Sequence, residues 1–233
     1  MKKVVGVSKA VQKILESGGV RKEKLTQIYS GIDLQIPLNK RGDLKSKLGI
    51  EKNKRIVAFV AALAAHKDPL NFVQMCTEIL KGNRAEHVHF VMIGADGGMF
   101  KQVEKEIDKL SLTDRISITR FIQDMNTVWP DIDVMVMSSS EEGLGTVVLQ
   151  AFLHGIPVVS TRAGGLPELI VNNETGLLVD IADYEGLAKE VVRILNNQNL
   201  RDKLVSNAKT FVDKFDHRKM AQSYLELYNV CLS

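Results

Sequence analysis

The chain has 233 residues, 45% of them hydrophobic and 25% charged, with two cysteines and a formal net charge of +3. This balance excludes a disordered, collagen-like or disulfide-framed chain, and no apolar run is long enough to span a bilayer. The charge is uneven, since residues 1–55 hold fourteen Lys or Arg against five Asp or Glu. No aromatic residues interleave with these charges, so the basic end reads as a lysine-rich solvated face and no nucleic-acid partner is expected. Cys76 and Cys231 show no metal or disulfide spacing, and a reducing, cytoplasmic setting is expected.

Strand and helix signals alternate along the chain. Val4–Val7 reads as a strand, and Ser8 can cap a helix over Lys9–Glu16 that Gly18-Gly19 ends. Leu25–Tyr29 reads as extended, and Ser30-Gly31-Ile32-Asp33 as a turn or linker, followed by Pro37. Arg55–Leu63 is nearly continuous in apolar residues, the mark of a strand buried on both faces. Asp68-Pro69 supplies a cap and a first-turn proline for a helix to about Leu80. Further strands are expected at His87–Ile93, Ile116–Phe121, Ile132–Met137, Ile156–Ser160 and Gly176–Val179. Helices are expected at Met99–Leu110, Asp124–Trp129 (ended by Pro130), Thr146–His154, Leu166–Val171, Tyr184–Asn196, Leu200–Phe215 and His217–Leu232.

This order predicts an α/β fold built on a doubly wound, Rossmann-like parallel sheet. In such sheets ligands gather outside the carboxyl ends of the strands. Three loops leave those ends with polar or glycine-rich residues: Ala64–Asp68, Gly94–Gly98 and Ser138–Gly145. In the last of them, Glu142-Gly143-Leu144-Gly145 stands directly before a helix. Glycines let a backbone approach a ligand closely, and a helix start offers unpaired N–H groups. The amides of Leu144, Gly145 and Thr146 can therefore face a diphosphate. A carboxylate beside them suits sugar hydroxyls better than phosphate. On these residues alone, a tight strand-to-helix turn with an exposed glutamate explains the pattern equally well.

The longer pattern runs from Ser138-Ser139-Ser140 through Glu142-Gly143-Leu144-Gly145 to Gln150. It continues through Gly155-Ile156-Pro157-Val158-Val159, Gly164-Gly165-Leu166-Pro167-Glu168 and Thr175-Gly176-Leu177-Leu178. In this order the motifs resemble the donor-binding, C-terminal domain of retaining glycosyltransferases of the GT-B fold, group 1, family 4. The resemblance implies an enzyme that moves a hexosyl unit from a nucleoside diphosphate sugar to a hydroxyl. It implies no cofactor and no tightly bound metal. Glu142 would be the catalytic-site carboxylate near the transferred sugar. Gly143, Leu144, Gly145 and Thr146 would meet the diphosphate with Lys67, and His66 could add charge. Gln150 would bond the ribose hydroxyls, and Phe121 and Ile122 would flank the nucleobase.

The same resemblance divides the chain. Residues 1–33 correspond to the end of an N-terminal domain and its linker, 34–215 to the donor domain, and 216–233 to a helix that packs back toward the N-terminal part. Most of the acceptor-binding N-terminal domain is then expected to be missing, leaving the fragment inactive alone. Any peripheral membrane contact would be made through the parent protein.

Two positions depart from the family pattern. Ala62 stands where an arginine is usual, which removes a bidentate phosphate clamp. Gln150 replaces the second glutamate, although an amide can still accept from and donate to a ribose. These departures leave open a non-catalytic nucleotide or sugar-phosphate binding module, and a nucleotide-sugar 2-epimerase of the same fold is a further alternative. His87 and His89 alternate on a strand without a third ligand nearby, so a metal is not expected there. Cys76 falls in an apolar helix and is expected in the core.

Overall fold

A computed structural model describes residues 3–39, 41–82 and 87–232. The main sheet has six parallel strands: β3 (Arg55–Val60), β4 (Val88–Ile93), β5 (Ile116–Thr119), β6 (Val134–Met137), β7 (Val158–Thr161) and β8 (Leu177–Val179). Their spatial order is β5-β4-β3-β6-β7-β8. The chain thus builds outward in one direction from β3, returns to pair β6 on its other side, and builds outward again. β3 and β5 end before the apolar runs do, at Val60 and Thr119, where the chain turns into loops at the carboxyl edge, while β4, β6, β7 and β8 begin one or two residues later than expected.

Both faces of the sheet are covered. Ile56, Ala58 and Val60 of β3 point to one face, where they join Met135 and Met137 of β6 in a core with Val148, Leu149 and Phe152. Those last three lie on helix α5 (Thr146–Leu153). Val57 and Phe59 point to the other face, which α3 (Pro69–Leu80), α4 (Phe100–Lys109) and α7 (Tyr184–Asn196) cover. The period of two along the strand divides the apolar residues between the layers. Cys76 is fully buried on α3, as its apolar neighbours predict. Helix α8 (Gln198–Val212) completes the first layer through Ala208 and Val212.

The N-terminal segment forms a separate parallel pair, β1 (Val4–Gly6) with β2 (Leu25–Gln27), joined by α1 (Lys9–Ser17). Beyond it, the linker residue Ile32 donates its N–H to Phe215 and accepts from His217. The start of the C-terminal helix α9 (His217–Leu232) is thereby tied to the linker. Asp216 beside it is bridged by the Arg218 guanidinium, which holds its carboxyl down at about 2.

Two local expectations are corrected. The segment expected as one helix over Asp124–Trp129 is two 3-10 turns, Met125–Thr127 and Trp129–Asp131. Pro130 does not end a helix there; it sits inside the second turn, where its missing N–H has no partner to lose. A short helix α2 (Leu44–Lys47) also forms where no helix was expected. It is only one turn long, too short for a periodic signal, and is pinned by Lys45 N–H donating to the Asp131 carboxylate at 3.1 Å.

Asp133 ties the amino end of the sheet to the outer layer. Its carboxylate accepts from Ile56 N–H at 2.9 Å, from Arg55 at 2.7 Å and from Arg201 of α8 at 3.4 Å. Ile56 is fully buried, so its amide has no water to turn to. Asp133→Ala is expected to destabilise the chain by about 2 kcal/mol in urea unfolding, mostly through the orphaned amide. A change below about 0.5 kcal/mol would show that the carboxylate is an ordinary surface charge.

Candidate functional site

The reversal of strand order falls between β3 and β6. The loops after these two strands therefore diverge on opposite layers and leave a crevice between them. The loop after β3 carries Lys67, and the loop after β6 carries Glu142. Their side chains form a direct ion pair across the crevice, Nζ to Oε2, with side-chain exposures of 17% and 11%.

Each partner is held by its backbone. Asp68 adopts φ 46°, ψ 60°, a left-handed conformation uncommon for a residue with a side chain, and caps α3 by accepting from Asn71 N–H at 3.2 Å. The hydroxyl of Ser138, fully buried, donates to the carbonyls of Lys67 (3.1 Å) and Asp68 (2.8 Å). The amides of Ser140 and Glu141 both donate to the His66 carbonyl. The serine-led start of the second loop is thus the fastening for the first.

On the other side, the Glu142 carbonyl accepts from Gly165 N–H at 3.0 Å. A Cβ on Gly164, whose φ is 48°, would lie only 1.8 Å from the Glu142 carbonyl oxygen. Gly145 has φ 85° and ψ 53°, which turns the chain into α5. Only glycine takes this conformation freely, and the approach of Leu166 to 2.7 Å of a would-be Cβ adds a steric demand.

The amides of Leu144, Gly145 and Thr146 form no hydrogen bond among the described residues. They stand at the start of an eight-residue helix, where the backbone presents partial positive charge. The Gly143 amide differs from the expected anion-facing set. It donates at 3.1 Å to Oε1 of its own neighbour Glu142, so it helps to aim the carboxylate. Leu144 contributes its backbone alone, because its side chain is buried in the core. Gln150 lies one turn further along α5, half-buried, with no side-chain hydrogen bond among the described residues.

Two hollows open at this edge of the sheet. One, of about 380 Å³, is lined by Lys67, Glu142, Gly143 and Gly164 together with Val11 and Ile14 of α1. The second, of about 310 Å³, is lined by Ala61, Ala62, Gly94, Phe121, Ile122 and Met125. Phe121 and Ile122 are thus together, but apart from the charged residues, in an apolar slot. Phe121 is 72% exposed, a large ring left at the rim. Larger hollows of about 540 and 520 Å³ lie at the amino ends of the strands, near His89 and Arg55. They hold neither the helix start nor the switch point, so volume alone does not locate the site.

His89 bonds the Ser117 hydroxyl at 2.9 Å, and among the described residues no three His, Cys, Asp or Glu side chains gather as a metal set. His154 stacks on Trp129 with ring centroids 5.5 Å apart, and burial pushes its imidazole toward the neutral form. It is a packing residue.

Glu168 belongs to the Gly-Gly-Leu-Pro-Glu motif, but no role was expected for it. Its carboxylate accepts from the N–H groups of Lys9 and Ala10 and from the Tyr29 hydroxyl. Burial first, and then this carboxylate, raise the Tyr29 phenol to about 12. Partners some 140 to 160 positions apart leave no local signal.

An ammonium and a helix start, beside one carboxylate at the switch point of a doubly wound sheet, are the features that mark this edge as the candidate site. The chain matches the family model "Glycosyl transferases group 1" over residues 40–211, and it belongs to that family. It is 34% identical over 145 residues to the lipopolysaccharide core biosynthesis glycosyltransferase LpsE of Rhizobium meliloti, covering 62% of this chain and 42% of that protein. It is 25% identical over 203 residues to the N-acetyl-alpha-D-glucosaminyl L-malate synthase of Bacillus anthracis, covering 86% and 52%. The chain therefore spans about half the length of the curated relatives it matches. Among solved structures, Anabaena Alr3699/HepE in complex with UDP and glucose superposes with a TM-score of 0.89 at 23% identity, over 98% of this chain and 63% of that one. The expected fold class, a doubly wound sheet of the GT-B kind, is the one observed.

Gly164 tests the backbone support of Glu142. Gly164→Ala should destabilise the chain by more than about 1 kcal/mol, since the left-handed backbone and the crowded carbonyl both oppose a Cβ. Amide exchange at residues 142–145 should quicken most. Unchanged stability and exchange would mean the turn can shift without disturbing the loop.

Proposed function

We propose that this chain is the donor-binding part of a retaining glycosyltransferase that moves a hexosyl unit from a nucleoside diphosphate sugar to a hydroxyl acceptor. The observation that carries the reading is the juxtaposition at the switch point: Lys67, three unengaged amides and the Glu142 carboxylate within one crevice. The amides of Leu144, Gly145 and Thr146 take the diphosphate, and Lys67 turns from Glu142 toward it. Leaving-group charge is thereby met by groups already in place, without a metal. Glu142, released from its ion pair, accepts hydroxyls of the transferred sugar. Gly143 acts through Glu142, since its amide holds the carboxylate. Gln150 bonds the ribose, and the apolar slot at Phe121 and Ile122 takes the base.

Retention of anomeric configuration rests on the resemblance of the motif series Ser138–Leu178 to retaining enzymes. So does the division into residues 1–33, 34–215 and 216–233. The matched span 40–211 and the half-length coverage of relatives support an acceptor side supplied by further chain. UDP is the first nucleotide to test, because the HepE structure holds it.

Calorimetry of the 233-residue chain with UDP, GDP and ADP should show at least one binder. Silence from all three at millimolar concentration would remove the reading. Lys67→Ala should then weaken binding of that nucleoside diphosphate by about 1.5–3 kcal/mol, the range for a hydrogen bond to a charged group. The bare nucleoside should bind the variant as it binds the parent. Equal losses for both ligands would mean that Lys67 acts through the fold and not through phosphate.

A further inference from the structure

Helix α1 lies outside the six-stranded sheet and outside the residues assigned to the donor, yet it is joined at one point to the Glu142 loop and at another to the helix that follows the turn supporting that loop. At one, the Ser8 hydroxyl donates to the Gly143 carbonyl at 2.6 Å while accepting from Val11 N–H at 3.1 Å. At the other, the two carboxylate oxygens of Glu168 accept from the N–H groups of Lys9 and Ala10, each at 2.9 Å, and Oε2 also accepts from the Tyr29 hydroxyl at 2.8 Å. Gln12 N–H bonds the Ser8 carbonyl, so every free amide of the first turn has a partner. Two of the four partners come from one side chain, more than 150 residues away.

Glu168 sits on α6 (Leu166–Leu169), directly after the Gly164-Gly165 turn that supports the Glu142 backbone. The contacts close a ring: Glu142 carbonyl to Gly165, on to Glu168, across to Lys9 and Ala10, back through Ser8 to the Gly143 carbonyl. There is no room for slack in it, because a Cβ on Gly165 would meet the Gly143 oxygen at 2.4 Å and the Ser8 Cβ at 3.0 Å. A negative charge at a helix start is favoured by the helix dipole, so the carboxylate is a stronger clasp than a neutral acceptor.

We propose that Glu168 is a positioning residue: it clasps α1 against the donor loop, so that the loop is held in shape from the N-terminal side and Val11 and Ile14 stand as the apolar wall of the cavity facing Glu142. The inference rests on the donor-site reading for its ligand but not for its geometry. By linkage, a ligand that orders the loop must also order the start of α1, and loosening α1 must weaken the ligand.

The test uses the 233-residue chain, UDP as the probe and amide exchange as the second readout. Glu168→Gln keeps the size of the side chain, but its amide nitrogen cannot accept an N–H. Exchange at Lys9 and Ala10 should quicken about tenfold, the loss of a hydrogen bond to a charged group. UDP should bind about fivefold more weakly, the lower end of typical coupling between sites. Exchange in α7 should not change, which separates a released clasp from a loosened fold. In the parent, UDP should slow exchange at both 142–146 and 9–11; in Glu168→Gln it should slow only the first. Glu168→Asp, which keeps the charge, should recover part of both effects. Unchanged exchange at Lys9 and Ala10 in Glu168→Gln, or UDP binding equal to the parent, would overturn the proposal. A parent that binds no UDP would count against the donor reading alone, and the exchange comparison would still decide on the clasp. If Glu168→Gln does not fold, Ser8→Ala opens the ring at its other end and should give the same loss of UDP affinity with faster exchange at Val11; a Ser8→Ala chain equal to the parent in both would overturn the proposal.

Discussion

The reversal of direction between β3 and β6 is the constraint on which the site depends. Two neighbouring parallel strands send their following helices to opposite layers, so no connection fills the space above their carboxyl ends. What fills it here is an ion pair. Lys67 and Glu142 are 75 residues apart, and each is largely removed from water. A charge this buried is costly unless matched, so each side chain makes the other tolerable. The pair therefore matches both charges in the crevice; the proposed donor binding requires that an anion replace Glu142 at Lys67 and that hydroxyls replace Lys67 at Glu142.

Much of the framework was legible from local pattern. The apolar run at Arg55–Leu63 announces a strand covered on both faces, and Ser8 and Asp68 cap the helices that their positions predict. The glycines around Glu142 were legible as a turn, because φ near 85° is a demand that few residues but glycine meet. What sequence could not display is partnership at distance. Ser138 looks like one of three serines, yet it is the buried fastening of the Lys67 turn. Glu168 looks like part of a Gly-Gly-x-Pro-Glu turn, yet it caps a helix near the other end of the chain. Gly143 was expected with the diphosphate-facing residues, and no sequence signal shows that the adjacent carboxylate bends back to its amide. The helix expected at Asp124–Trp129 is replaced by two 3-10 turns, the second of which, Trp129–Asp131, takes in Pro130 near its start, where a proline is tolerated.

Ala62 lines the apolar slot with Phe121 and Ile122, apart from the Lys67–Glu142 pair, and Gln150 lies half-buried on α5. With alanine at 62 and an amide at 150, the proposed donor site carries one positive and one negative side chain fewer than the family pattern that the sequence resembles. On that proposal, attraction for an anion rests on Lys67, which is engaged with Glu142, and on backbone amides. Backbone amides survive every substitution except proline and do not pay side-chain entropy on binding, so a site leaning on them is robust in geometry and modest in charge.

That reliance on backbone explains why so many supports converge on a loop of four residues. Amides recognise an anion only if their directions are fixed, and a glycine-containing loop does not fix them by itself. Here the fixing is external. The Gly164-Gly165 turn presses on the Glu142 carbonyl from one side, the Ser8 hydroxyl holds the Gly143 carbonyl from another, and the buried Leu144 side chain anchors the centre in the core. Gly164 and Gly165 must be glycines for one reason: a Cβ on the first would run into the Glu142 carbonyl oxygen and on the second into that of Gly143. The residues that shape the site are for this reason mostly not the residues that would touch a ligand.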